Sequence, residues 1–141
     1  MPTTKNETPA PRLAGVIVTH GPLAEALRAA AGQVVGDVRA LEAVSNEGCS
    51  LETMTTKVRA AIERLGATGT IVFVDSRGSS CATSSFGALQ DLPNVRIIAG
   101  VNLPMLVDFL LRREDYDLDR MVERLLQRGR SSVQLLKGPG A

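Results

Sequence analysis

The sequence predicts an α/β fold: a doubly wound, mainly parallel four-stranded sheet with helices on both faces, three layers in all, and a short C-terminal edge strand. Three observations predict it. Short apolar runs alternate with amphipathic stretches at least four times along the chain. The runs are β-branched and nearly continuous, as strands covered on both faces require. Apolar residues make up 44% of the 141 and aromatics only 3%, with no Trp, so the core is aliphatic, which suits helices packed on a sheet.

The elements follow in order. Met1–Pro11 is polar, carries prolines at 2, 9 and 11, and reads as a disordered tail ahead of one domain, 12–137. Strand one spans about Leu13–Thr19 around Val16-Ile17-Val18. Gly21-Pro22 stops it, and Pro22 suits the first helical position, where a missing N–H costs nothing. Helix one runs about Pro22–Val34. Val38–Val44 alternates and is expected as strand two. Ser45–Gly48 is a polar loop. Ser50 is a candidate N-cap with Glu52 in the first turn, helix two spans about Leu51–Leu65, and Gly66 is its stop. Thr70–Asp75 is the clearest strand. A Gly/Ser turn, Ser76–Ser80, leads to a helix over about Cys81–Leu89. Val95–Ala99 is strand four. Leu103-Pro104 and Tyr116-Asp117 open two further helices, the last ended by Gly129, and Ser131–Leu136 supplies the short last strand.

Composition excludes several function classes. A net charge of +1 gives no electrostatic reason to expect nucleic acid, and aromatics spaced for base stacking are lacking. Two cysteines and one histidine make neither a disulfide framework nor a zinc site, so neither metal nor cofactor is expected. No apolar run approaches the roughly 20 residues of a membrane span, and the tail lacks a signal peptide's apolar stretch. The expectation is a cytoplasmic, reduced protein.

Chemistry concentrates where strands end. Right-handed crossovers bring Thr19-His20-Gly21, Asp75–Ser80 and Gly100-Val101-Asn102 to one edge of the sheet, where open α/β sheets bind their ligands. His20 is the sole histidine. A carboxylate beside an imidazole fixes its tautomer and favours its charged form. Small residues near a helix N-terminus let backbone N–H groups approach an anion. The pattern is an imidazole nucleophile, an orienting carboxylate and a phosphate-sized nest. Read alone, His20 is more simply a turn residue, and Asp75 is as readily a helix cap. A Ser-His-Asp hydrolase through Ser79 or Ser80 lacks the G-x-S-x-G elbow. A flavin site lacks ring-stacking aromatics, and a receiver domain would carry paired acids where this chain has Thr19-His20. Cys81 reads as a small packing residue or as a thiol activated near Arg77.

Four segments resemble the mannose-type enzyme IIA family of the bacterial phosphotransferase system. They are Gly-Val-Ile-Val-Thr-His-Gly-Pro-Leu-Ala (15–24), Val-Phe-Val-Asp-Ser-Arg-Gly-Ser-Ser (72–80), Ile-Ala-Gly-Val-Asn-Leu-Pro-Met-Leu (98–106) and Gly-Arg-Ser-Ser-Val (129–133). The resemblance implies that His20 accepts a phosphoryl group from phospho-HPr and passes it to a IIB component, with Asp75 hydrogen-bonded to that histidine. It implies a phosphate-binding turn of Gly21, Ser76, Arg77, Gly78, Ser79 and Ser80. Further implications are a membrane reached only through IIC and IID partners, and a homodimer that exchanges the last strand. Against the family pattern, Ser79 replaces a glycine, Cys81 a proline and Arg77 a bulky uncharged residue. The alternative expectation is a regulatory IIA-like binding module whose phosphorylation state controls a partner protein.

Overall fold

The structure, a computed structural model, describes residues 11–78, 87 and 89–140. Residues 1–10 of the expected tail lie outside the described residues, as do Ser79, Ser80, Cys81 and most of the helix expected over Cys81–Leu89. The order of elements is β1 (Leu13–Thr19), α1 (Leu23–Val35), β2 (Leu41–Ser45), α2 (Leu51–Leu65), β3 (Gly69–Val74), β4 (Val95–Ala99), α3 (Leu103–Arg112) and α4 (Leu118–Ser131). The four strands form one parallel sheet in the order β2-β1-β3-β4. Thr19 pairs with Ser45, Val18 with Val74 and Val74 with Ala99, so every strand ends at the same edge.

The sheet separates two cores. On one face Ile17, Leu41, Ile71 and Phe73 pack under α1, α3 and α4, chiefly Ala24, Ala31, Leu106, Phe109, Met121 and Leu125. On the other, Val16, Val18, Val72 and Val74 pack under Met54, Val58 and Ala61 of α2. All residues of the two central strands, β1 and β3, are buried, which is why they read as unbroken apolar runs. Phe73 and Phe109 meet edge to face, with centroids 5.5 Å apart. Gly15 makes room for them: a Cβ there would lie 2.6 Å from Leu41 Cδ2 and 2.9 Å from Phe73 Cε2.

Helix ends follow the expected chemistry at several points. Ser50 caps α2 by accepting from the Thr53 N–H, and Gly66 closes it in the left-handed region at φ 61°. Asn102 and Asp117 cap α3 and α4 in the same way. Pro22 is the N-cap of α1 rather than its first helical residue.

Three boundaries differ from expectation. Strand β2 begins at Leu41, because Val38–Ala40 is a turn closed by the Leu41 N–H to the Val38 carbonyl at 3.0 Å. Arg28 from α1 also donates to the Val38 and Leu41 carbonyls. Gly129 does not end the last helix: α4 runs on to Ser131, with the Gly129 carbonyl accepting from Asn102 Nδ2 at 3.0 Å. The short edge strand expected over Ser131–Leu136 is therefore not formed in this chain. Ser131 is helical, residues 133–136 have no regular structure, and Val133, Leu135 and Leu136 are exposed. The sheet does not include them.

Candidate functional site

The site is the carboxyl edge of the central strands. β1 delivers His20 and its neighbour β3 delivers Asp75, each as the first residue beyond its strand. His20 Nδ1 and Asp75 Oδ2 are 2.6 Å apart, and the same oxygen accepts the His20 backbone N–H at 3.2 Å. The other oxygen, Oδ1, accepts the Ser76 N–H at 3.0 Å. Burial raises the Asp75 pKa, but the hydrogen bonds from the His20 ring, the His20 amide and the Ser76 amide outweigh it, and the carboxyl is held below its ordinary range. Asp75 is thus an ionised acceptor at neutral pH, and Nδ1 is the donor facing it. With Nδ1 donating, Nε2 carries the lone pair of the neutral ring, and the histidine side chain is 53% exposed against 17% for Asp75.

A second clamp holds the turn. Gly21 has φ 52°, a conformation that suits glycine, and its N–H donates to Asn46 Oδ1 at 3.1 Å while its carbonyl accepts from Ser45 Oγ at 2.8 Å. Asn46 N–H in turn reaches the Thr19 carbonyl at 3.2 Å. Both ends of the His20 turn are therefore fastened to the last residue of β2 and the loop after it. Sequence reasoning passed over Ser45 and Asn46, reading them only as a polar loop. The signal was available: β2 is parallel to β1, so the loop after it falls on the same edge.

The third expected turn, Gly100-Val101-Asn102, is present at this edge and pinned to β3. The Gly100 and Val101 amides both donate to the Val74 carbonyl, at 3.0 and 3.1 Å. Asn102 is spent on structure: Oδ1 caps α3 through the Met105 N–H, and Nδ2 bonds the Gly129 carbonyl and Ser132 Oγ. Of the residues expected to bind phosphate, Ser76, Arg77 and Gly78 follow Asp75 directly and are exposed, and Gly21 adjoins His20. Ser79 and Ser80 lie outside the described residues. The described arrangement offers one nucleophilic nitrogen, a charge behind it and an open approach. That is chemistry for receiving a small electrophilic group from a partner.

Residues 14–126 match the EIIA-man family model, described as PTS system fructose IIA component. The chain is 35% identical over 130 residues to the PTS system mannose-specific EIIAB component of Escherichia coli K12, covering 89% of this chain but only 40% of that protein. Among solved structures, the mannose/sorbose specific IIA subunit from Enterococcus faecalis superposes with a TM-score of 0.75 at 23% identity, over 92% of this chain and 98% of that one. The PTS IIA protein associated with the fucose utilization operon of Streptococcus pneumoniae superposes with a TM-score of 0.79 at 19% identity, over 92% and 96%. These two likenesses establish the shared fold, and the family match over most of the sequence establishes kinship: this chain belongs to the mannose-type IIA family of the phosphotransferase system.

Proposed function

We propose that the domain 12–137 is a phosphohistidine carrier, taking a phosphoryl group from phospho-HPr on His20 and handing it to a IIB component for sugar uptake. The observation that carries this reading is the 2.6 Å contact between His20 Nδ1 and Asp75. It commits Nδ1 to donating and leaves the Nε2 lone pair on an exposed ring. In the step, that lone pair attacks phosphorus, the N–P bond of the donor histidine breaks, and the donor imidazole leaves with the bonding pair. The His20 ring keeps its Nδ1 proton and becomes cationic, and the Asp75 carboxylate offsets the new charge. Gly21 and the turn Ser76, Arg77, Gly78, Ser79 and Ser80 form the phosphoryl-binding side, with the Arg77 guanidinium as its cation. The carrier works in the cytoplasm, meets the membrane only through IIC and IID partners, and acts as a homodimer.

The test is incubation with phosphoenolpyruvate, enzyme I and HPr, followed by analysis of the adduct. An acid-labile, alkali-stable phosphate is expected on the wild type and none on His20→Ala. Equal labelling of both would overturn the assignment.

A further inference from the structure

The backbone of His20 is held on both sides of its Cα. The peptide unit before it, Thr19–His20, is bonded at each end: the Thr19 carbonyl accepts the Asn46 N–H at 3.2 Å, and the His20 N–H donates to Asp75 Oδ2 at 3.2 Å. The unit after it, His20–Gly21, is bonded likewise. The Gly21 N–H donates to Asn46 Oδ1 at 3.1 Å, and the His20 carbonyl accepts the Leu23 N–H at 3.4 Å. Asn46 therefore holds both units, once through its main chain and once through its side chain, while Asp75 opposes it from the end of β3. Fixing both peptide planes fixes φ and ψ of His20, and with them the direction in which the ring leaves the backbone. Asn46 is itself anchored. Its carbonyl accepts the Cys49 N–H at 3.1 Å, closing a tight turn in which Gly48 takes φ 66°. Ser45 beside it donates through Oγ to the Gly21 carbonyl and accepts the Glu47 N–H at 3.1 Å. The bond from Gly21 to Asn46 is half-buried, where it is stronger than in water.

We propose that Asn46 is a positioning residue for phosphoryl transfer: its carboxamide oxygen, acting through the Gly21 N–H, holds the His20 ring in line with the incoming phosphoryl group. This rests on the carrier reading. Asp75 holds the ring at one atom, Nδ1, and a ring pinned at one nitrogen can still pivot about that contact. Holding the backbone that carries the ring removes the pivot, and a displacement of about 1 Å is enough to cost a reaction much of its rate. A loop residue that served local stability alone would leave the ring and its reactivity unchanged.

The test takes two readings on the full chain. The first is the rapid-quench rate of transfer from phospho-HPr over a range of donor concentrations. Asn46→Ala keeps the main-chain bond to Thr19 and loses the side-chain oxygen. It is expected to lower the saturating rate about tenfold, with the donor concentration at half-maximum unchanged. Asn46→Asp keeps an acceptor for the Gly21 N–H, and at salt high enough to screen its charge it is expected to stay within about threefold of wild type. The second reading is the ring 15N shifts of His20, the sole histidine, with the ring neutral. They report how fully the proton stays on Nδ1, and are expected to move toward mixed tautomers in Asn46→Ala and to return in Asn46→Asp. Ser50→Ala, which removes the cap of α2, is expected to lower the unfolding midpoint and leave both readings as in wild type. Wild-type transfer or unchanged ring shifts in Asn46→Ala, a slow Asn46→Asp, or equal slowing by Ser50→Ala would overturn the positioning proposal while the carrier reading stands. A wild-type chain that takes no phosphoryl group would overturn both.

Discussion

At the scale of single residues, the proposed function hangs on what Asp75 does to His20. Both carboxylate oxygens are engaged, Oδ2 by the ring and amide of His20 and Oδ1 by Ser76. Asp75→Asn keeps the shape but removes the charge, and its amide can hold the wrong imidazole tautomer. The comparable loss in a serine protease triad costs about 10⁴ in rate. A phosphoramidate donor is already activated, so transfer to Asp75→Asn is expected to fall by about 10- to 10³-fold, still on His20. Rapid-quench transfer from phospho-HPr checks this. The pH dependence follows from the direction of the shift. Asp75 has a lowered pKa when folded, so its contribution to stability is complete above the ordinary carboxyl value of 3.8 and disappears as pH falls through the lower folded value. Thermal unfolding of wild type and Asp75→Asn should therefore differ at neutral pH and converge only in acid below 3.8.

At the scale of elements, two glycines inside regular structure make opposite predictions. Gly15 lies in a buried strand, and a methyl group there meets Leu41 and the Phe73 ring, both locked in the core. Gly15→Ala is expected to destabilise by about 1–3 kcal/mol, measured by denaturant unfolding. Gly129 lies in α4, and a methyl there presses on the terminal methyl of Met105, which can swing aside, and makes ordinary contact with the Asn102 amide at 3.9 Å. The helix gains up to about 1 kcal/mol from losing a glycine, so Gly129→Ala is expected to stay within about 1 kcal/mol of wild type.

The same residues show how far the sequence is legible. β1 and β3 declare themselves because burial on both faces leaves a run of apolar side chains that no helix pattern imitates. Ser50, Gly66 and Asp117 declare helix ends because their roles are local, within a turn of the chain. Gly129 misleads because its role is not local: it sits where α4 presses on Met105 and Asn102, and nothing in its neighbourhood says so. The Ser45 and Asn46 clamp is silent for the same reason, its partner being a turn 24 or more positions away. His20 and Asp75 are legible as sharing an edge because right-handed crossovers between parallel strands bring the ends of β1 and β3 to the same side of the sheet.

At the scale of the whole molecule, exposed apolar chain remains after α4. Val133 is 83% and Leu136 88% exposed, more than a lone chain gains from leaving them in water. Light scattering at micromolar concentration is expected to give a dimer, and ending the chain after Ser132 is expected to give a monomer that still takes phosphate on His20. A dimer that survives the truncation would place the contact elsewhere.

The parallel sheet has one more consequence, for what can be joined to this domain. The chain enters at the amino edge, where the Arg12 carbonyl is held by the Thr68 and Gly69 amides, and α4 leaves it at Ser132, beside Asn102 on the edge of His20. The seven residues of β1 separate those edges by roughly 23 Å. Anything fused before residue 12 starts on the far side from the histidine. Anything fused after residue 132 starts beside it, where a flexible tether holds its cargo at an effective concentration of about millimolar and turns transfer between separate molecules into an intramolecular step.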